Sequence, residues 1–423
     1  MAMDLRQVVA AILTMSMFVM LGNMIKKDHI DPFLVNVPVP LSIHHDMFKG
    51  SRNSLVQLFS SNGPWKKYDE AMTPCWRKLP INNERKPTKS YIFFSLSNGP
   101  EYHASQIASA IMIAKHLGAA LVLPDIKGVK VSQKRMFGEI YDQKKFVTSL
   151  DGIVQVVKDH HTDLKVREKV MVVSIPKRVT REFIGANIEP ILRKRKQVRL
   201  ASQNSSLTMT GGKEIDDYLN PYGCLTMFES LQLQREIQEL VDSMVRALRF
   251  LSWKSSSGRF IAVDLKVDEF IKPSCQKNDT ISTQYCYGAK EIGQFLKKIG
   301  FGRDTTVYLT QTGWHESLQP LREHFPNTFT KDAIMPIDLK ARYLDSGNFE
   351  YEKFIDFYLC LQSDVFVASS VNMFYTNVAG MRIASGKTQI LIPTRKSSTS
   401  AMDYLSPYIL NRSHLAYSCL CKI

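Results

Sequence analysis

Directly after the apolar run Arg259 to Val263 (RFIAV), the stretch Asp264-Leu265-Lys266-Val267-Asp268-Glu269 alternates carboxylates with an ammonium. Side chains two apart share a face of an extended chain, so Asp264, Lys266 and Asp268 are expected on one side. A lysine there suits the breaking of a nucleotide–sugar bond, whose leaving pyrophosphate needs its developing charge neutralised. A structural Asp264–Lys266 pair at a strand end fits the same spacing. The loop Ser97 to Gln106 (SNGPEYHASQ) opens into a helical pattern, and free N–H groups at a helix start favour an anion or a polar sugar. Gly99 permits close approach to the backbone, Asn98 is assigned with it to donor binding, and Glu101 and His103 are the titratable groups for a substrate hydroxyl. The alternative has Glu101 complementing the helix dipole and His103 facing solvent. In Ser363 to Phe374 (SDVFVASSVNMF), Ser369, Ser370 and Asn372 fall between a strand and a helix, a cradle for a diphosphate to which Asp364 is also assigned. Hydroxyl caps occur at any helix start. Thr310 and Gln311, after TTVYL, complete the donor-binding rim.

These loops need a scaffold, and the pattern supplies one. Tyr91 to Leu96 (YIFFSL) reads as a buried strand, followed by a helix with Ile107, Ala108, Ile111, Ala114 and Leu117 and a stop at Gly118. Ala120 to Leu123 is the next strand, and Lys169 to Ile175 a further one. A helical stretch from Phe228 to Leu251 precedes a second set: strand 259–263, helix 289–299, strand 305–309, helix 350–361, strand 364–367, helix to 384 and strand 389–392. Alternating strands and helices build parallel sheets, and ligands bind beyond the carboxyl ends of their strands. The expected class is α/β with two Rossmann-like domains facing a cleft, at 89–227 and 228–423. A chain of 423 residues is long enough for both.

Residues 8–25 (VVAAILTMSMFVMLGNMI) are apolar, uncharged and long enough to span a bilayer, with no small-x-small cleavage site beyond them. They are read as a signal anchor after a short tail, 1–7, with 26–88 as a stem. Flanking charges (Arg6 against Lys26 and Lys27) do not set the orientation. The sequons at Asn204, Asn278 and Asn411 favour a lumenal body. Of seven cysteines, Cys275 and Cys286 bracket a polar loop as a disulfide would, and Cys360 reads as a buried free thiol. The net charge of +15 suits anionic partners, but zinc-finger and RNA-binding signatures are missing, so nucleic acid is not expected. The run Arg193-Lys194-Arg195-Lys196 is read as a solvated helix face. With no Asp-x-Asp in the chain, a metal-independent mechanism is expected.

The segment SNGPEYHASQIASAIMIAKHLGAALVLPDI resembles the N-terminal signature of the plant GDP-fucose protein O-fucosyltransferase family. RFIAVDLKVDEF, CYGAKEIGQFLKKIGFGRDTTVYLTQ and QSDVFVASSVNMFYTNVAG are similar to its later blocks, in order. The start (MDLRQVVAAILTMSMFVMLG) and the end (HLAYSCLC) resemble its mannan synthesis-related subgroup. The resemblance implies a Golgi type II membrane protein of the GT-B arrangement with a GDP-sugar donor, no cofactor, and a role in mannan synthesis. Its partners would be a glycan or glycoprotein acceptor and a mannan synthase. The family's Gly-Gly-Leu-Asn-Gln opening is replaced by Pro100, Glu101, Tyr102 and His103, and its His-x-Arg by Asp264-Leu265-Lys266. Lysine keeps the charge without the bidentate fork. Three readings stay open: an active transferase, a catalytically silent helper of a mannan synthase, and a lectin-like binder using Tyr102 and Trp314.

Overall fold

The computed structural model describes residues 63–66, 72–78, 88–127, 134–158, 170–176, 179–202, 221–270, 287–344 and 349–422. The apolar segment 8–25, most of the stem, Asn204, Asn278 and the Cys275–Cys286 loop lie outside them. Among the described residues no helix is long and apolar enough to cross a membrane.

Two five-stranded sheets, each parallel throughout, form the body. The first joins β1 (Tyr91–Phe93), β2 (Ala120–Val122), β3 (Val156–Val157), β4 (Val172–Ile175) and β5 (Gln197–Ser202) in the order β3-β2-β1-β5-β4. The second joins β6 (Phe260–Asp264), β7 (Thr306–Leu309), β8 (Thr328–Phe329), β9 (Val365–Ala368) and β10 (Ile390–Leu391) in the order β8-β7-β6-β9-β10. Strands covered on both faces read as unbroken apolar runs, and every residue of β6, β7 and β9 is buried. The second order is the 3-2-1-4-5 of a nucleotide-binding Rossmann half, with its switch point between β6 and β9.

Some expectations shift. The YIFFSL run divides, because Ser95–Leu96 leaves the main sheet to pair with Asp125–Lys127 in a small sheet with Lys134–Met136. The strand expected at 169–175 is confined to Val172–Ile175. The stretch 228–251 is two helices, α2 (Pro221–Phe228) and α3 (Arg235–Leu251), the second capped by the Gln234 side chain. Strand β5 escapes the sequence reading because Gln197 and Arg199 alternate with the buried Val198 and Leu200. The basic run ends a helix, Glu189–Arg195, with its charges exposed, as expected.

Helix α1 (Pro100–Leu117) joins the halves. It packs on α2 and on α4 (Phe349–Gln362) and α5 (Met373–Ala384) of the second half, so its burial reaches beyond the expected apolar stripe. His103 lies on this inner side, 1% exposed, with Nδ1 2.8 Å from the Tyr141 hydroxyl and its ring against Phe354. Burial, reinforced by the nearby Lys353 ammonium, holds its pKa at about 3. His414 is enclosed where α5 presents Gly380, since any side chain there would run into the imidazole. Its Nδ1 accepts the Ala416 N–H and its Nε2 meets the Thr376 carbonyl, the pattern of a neutral ring. Burial lowers its pKa to about 4.

Two disulfides bind the chain's ends to this body. Cys75–Cys421 joins the antiparallel strands Met72–Pro74 and Leu420–Lys422. Cys224–Cys419 ties α2 to the turn Leu415–Cys419, which rests on α5. The segment Pro74-Cys75-Trp76 packs on the body: Trp76 stacks on Phe228 and donates to Glu229. Cys360 is buried and free.

Both histidines are held neutral, with folded pKa values below the ordinary 6.5. Their stabilising contribution is therefore complete above about pH 6.5 and is lost as pH falls toward the folded values. Each should cost about 2 kcal/mol between pH 6.5 and 5, measurable as a falling urea midpoint. A midpoint that stays flat over that range would contradict their enclosure. Cys224→Ser with Cys419→Ser, which opens a loop of sequence separation 195, should lower stability by about 2–5 kcal/mol in non-reducing urea unfolding.

Candidate functional site

At its carboxyl end β6 passes into the sheet's switch point. Asp264 is buried and accepts from Thr310 Oγ1 at 3.0 Å and Asn372 Nδ2 at 3.5 Å. Its carbonyl receives the Ser369 hydroxyl at 2.5 Å. Thr310 Oγ1 also accepts the Leu265 N–H, and Gln311 Oε1 accepts the Val267 N–H at 3.0 Å. Asn372 caps α5 through Tyr375 N and donates to Ser370 Oγ at 3.1 Å. These predicted rim residues do converge, and the bonds between them shape the strand end. Strand alternation stops at Asp264, because Val267–Phe270 is a helical turn; Asp268 is exposed there and does not share the Asp264 face.

Lys266 is 30% exposed, with Nζ 4.0 Å from Asp356 Oδ2 and 5.8 Å from the centre of the Phe374 ring. Asp356, on α4, is 1% exposed and has three neighbours of opposite polarity. Lys331 Nζ lies 3.0 Å from its Oδ2, the Tyr308 hydroxyl donates to its Oδ1 at 2.7 Å, and Lys266 completes the set. Lys331 Nζ also pairs with Glu352 at 3.2 Å, and Thr312 donates to the same carboxylate. Burial raises the Asp356 pKa even against Lys331, Lys266 and Tyr308, so its charge depends on keeping them.

Loop 97–99 leads into α1, whose Glu101 interacts with Lys266 of the second half. Gln106 pins the loop, accepting the Ser97 N–H at 3.0 Å and donating to Ser97 O and Oγ. Asn98 and Gly99 both have positive φ, 71° and 105°. A side chain at Gly99 would meet Glu101 Oε2 at 2.6 Å, so the carboxyl folds over the glycine. Burial raises the Glu101 pKa; its own N–H and the ammonium groups of Lys353 and Lys266 oppose that. Its Oε2 is buried without a hydrogen-bond partner. Beside it a small groove, partly open to solvent, is lined by residues of α1, α2, α4 and α5.

Glu101 and Lys266 are therefore near enough for their charges to interact, across the two halves. His103 is enclosed behind α1, neither in solvent nor at an open rim. Asp364 stands at the wrong end of β9: it accepts from the Phe260 N–H at 3.0 Å and pairs with Arg249 at 3.3 Å, at the start of β6. Four strand residues, a rise of roughly 16–17 Å, separate it from Ser369, so it is no donor-site residue. Trp314 is covered by Arg322, 3.3 Å from the centre of its ring, and Tyr102 is half-buried. Sequence reasoning missed Asp356, Lys353 and Gln106. The signal for Asp356 was a lone carboxylate on the apolar side of a helix. Among the described residues, no three His, Cys, Asp or Glu side chains gather as a metal site.

Comparison with known proteins bears on this arrangement. The family model described as GDP-fucose protein O-fucosyltransferase matches residues 91–384. The chain is 45% identical to Protein MANNAN SYNTHESIS-RELATED 1 of Arabidopsis thaliana, over 100% of both chains. It is 41% identical to Protein MANNAN SYNTHESIS-RELATED of Trigonella foenum-graecum, covering 99% of this chain and 100% of that one. The crystal structure of POFUT1 in complex with GDP superposes with a TM-score of 0.42 at 13% identity, covering 75% of this chain and 97% of the other. With its matched region running from the start of β1 to the end of α5 and its full length aligned to the mannan synthesis-related proteins, the chain belongs to the GDP-fucose protein O-fucosyltransferase family.

Proposed function

We propose that the chain is a metal-independent glycosyltransferase that draws on a GDP-sugar and serves the synthesis of mannan or a related cell-wall polysaccharide. The observation that carries this reading is the partly exposed Lys266 at the β6–β9 switch point, within reach of the start of α5. An ammonium and a helix amino terminus together favour a diphosphate and stabilise it as it leaves. Asn98 and Gly99 would face the donor from the other half, with Thr310, Gln311, Ser369, Ser370 and Asn372 shaping its seat. Glu101, with its raised pKa and neighbouring cations, is assigned the acceptor proton. The body is assigned to the Golgi lumen, anchored by 8–25. Support comes from exposed Asn411, within its sequon, and from the two disulfides, which an oxidising lumen permits.

A second reading has one observation in its favour. Lys266 and Lys331 already face Asp356 and Glu352, two cations against two carboxylates. Such a balance leaves little net charge for a diphosphate, and a silent helper of a mannan synthase would need none. Calorimetry separates the two. GDP should bind the full chain, and Lys266→Ala should weaken it by about 1.5–3 kcal/mol, while Lys266→Arg retains it. No GDP binding would select the helper; binding unchanged in Lys266→Ala would remove Lys266 from the site. For an active enzyme, the transfer rate should rise with pH through a titration above the ordinary 4.5 of Glu101. Glu101→Gln should remove that limb; a limb that persists would assign the base elsewhere.

A further inference from the structure

The end of α3 carries an exposed face that the donor site does not use. Among the described residues, Phe250 and Trp253 are the only exposed phenylalanine and tryptophan, at 77% and 71%. Tryptophan is ordinarily well covered. Helical spacing puts Arg246, Phe250 and Lys254 in one stripe, with Trp253 beside Phe250, and both cations are exposed. Between 246 and 254 there is no aspartate or glutamate.

The face continues onto the segment 63–66. Trp253 lies beside Gly258, whose added Cβ would stand 3.5 Å from its ring. The next residue, Arg259, holds its guanidinium 4.8 Å from the centre of the Trp65 ring. Gln389 donates to the Pro64 carbonyl at 3.0 Å, and Lys66 adds an exposed ammonium. This is the amino-terminal edge of the second sheet: Arg249 pairs with Asp364, just before β9, at 3.3 Å, and Arg259 directly precedes β6. The chain coming from the apolar segment 8–25 therefore joins the body at the edge that displays Phe250 and Trp253.

We propose that this edge rests on a phospholipid surface, with the Phe250 and Trp253 rings among the headgroups and Arg246, Lys254 and Lys66 against their phosphates. The inference goes beyond the transferase reading and shares with it only the anchoring by 8–25. Aromatic rings settle at the headgroup level of a bilayer, and flanking lysines and arginines extend their charge to the phosphates. A neutral sugar chain would stack on the rings but gives the cations no anion to meet. A second copy would set Arg246 and Lys254 against the same cations across a two-fold axis, and like charges so placed repel. Two rings also fall short of the roughly 1,000 Å² that a specific protein interface buries. Because Asp264 ends β6 at the opposite edge, the switch point and Lys266 then face away from the bilayer.

The test reconstitutes the full chain in vesicles of phosphatidylcholine and phosphatidylinositol, with the phosphatidylcholine either plain or brominated at its upper acyl carbons, and reads tryptophan emission. The brominated lipid should quench the wild-type chain. Trp253→Tyr should remove most of that drop, Arg246→Glu with Lys254→Glu should weaken it, and Trp314→Phe should leave it in place. No quenching, or the same drop with and without Trp253, would overturn the proposal. A Trp253 emission that shifts to the blue with protein concentration in detergent without lipid would assign the face to a second copy, and so would overturn it too. Extraction with alkaline carbonate separates the two readings. A chain retained in the vesicles without Trp253-dependent quenching keeps the anchor and loses the face; a chain released, yet quenched through Trp253 before extraction, keeps the face and loses the anchor.

Discussion

A carboxylate at the base of the second half, Asp356, cannot be left alone. It is fully buried, and an uncompensated charge there would cost several kcal/mol, so Lys331, Tyr308 and Lys266 are drawn to it. Of the three, Lys331 and Tyr308 are buried, and only Lys266 reaches solvent. The requirement to neutralise one aspartate thereby places a partly exposed ammonium just past the carboxyl end of β6.

The rest of the second half serves that mouth. The order β8-β7-β6-β9-β10 opens the sheet between β6 and β9, and the bonds among Asp264, Thr310, Ser369 and Asn372 hold the two strand ends in register. Helix α1 contributes Glu101 from the first half, and its burial on nearly every side makes it a rigid support. Cys224–Cys419 ties α2 to the turn lying on α5. Donor and acceptor readings meet at Glu101 because two halves meet there.

How much of this could be read beforehand varied with the kind of signal. Lys266 was legible because it follows an unbroken apolar strand, and Rossmann sheets bind at such ends. Ser369, Ser370 and Asn372 were legible for the same reason. Asp364 was misplaced because an apolar run shows a strand without showing which flank bears the loop of interest; its partners at the start of β6 settle the matter. His103 was misread because one apolar stripe on α1 concealed a second buried side, made by elements far along the chain. The roles of Asp356 and Lys353 were not legible: a lone carboxylate on an apolar helix face marks Asp356, but the helix pattern says nothing of which strand end its residues meet. Strand β5 was hidden by Gln197 and Arg199, whose half-buried positions break the apolar run expected of a parallel sheet.

The central claim is that the Lys266 ammonium, held at the switch point by Asp356, is the counter-charge for a nucleotide. A crystal structure of the chain soaked with GDP tests it most directly. The account predicts the diphosphate against Lys266 Nζ and the N-terminus of α5, between the two sheets. Nucleotide bound anywhere else, with Lys266 still directed at Asp356, would contradict it.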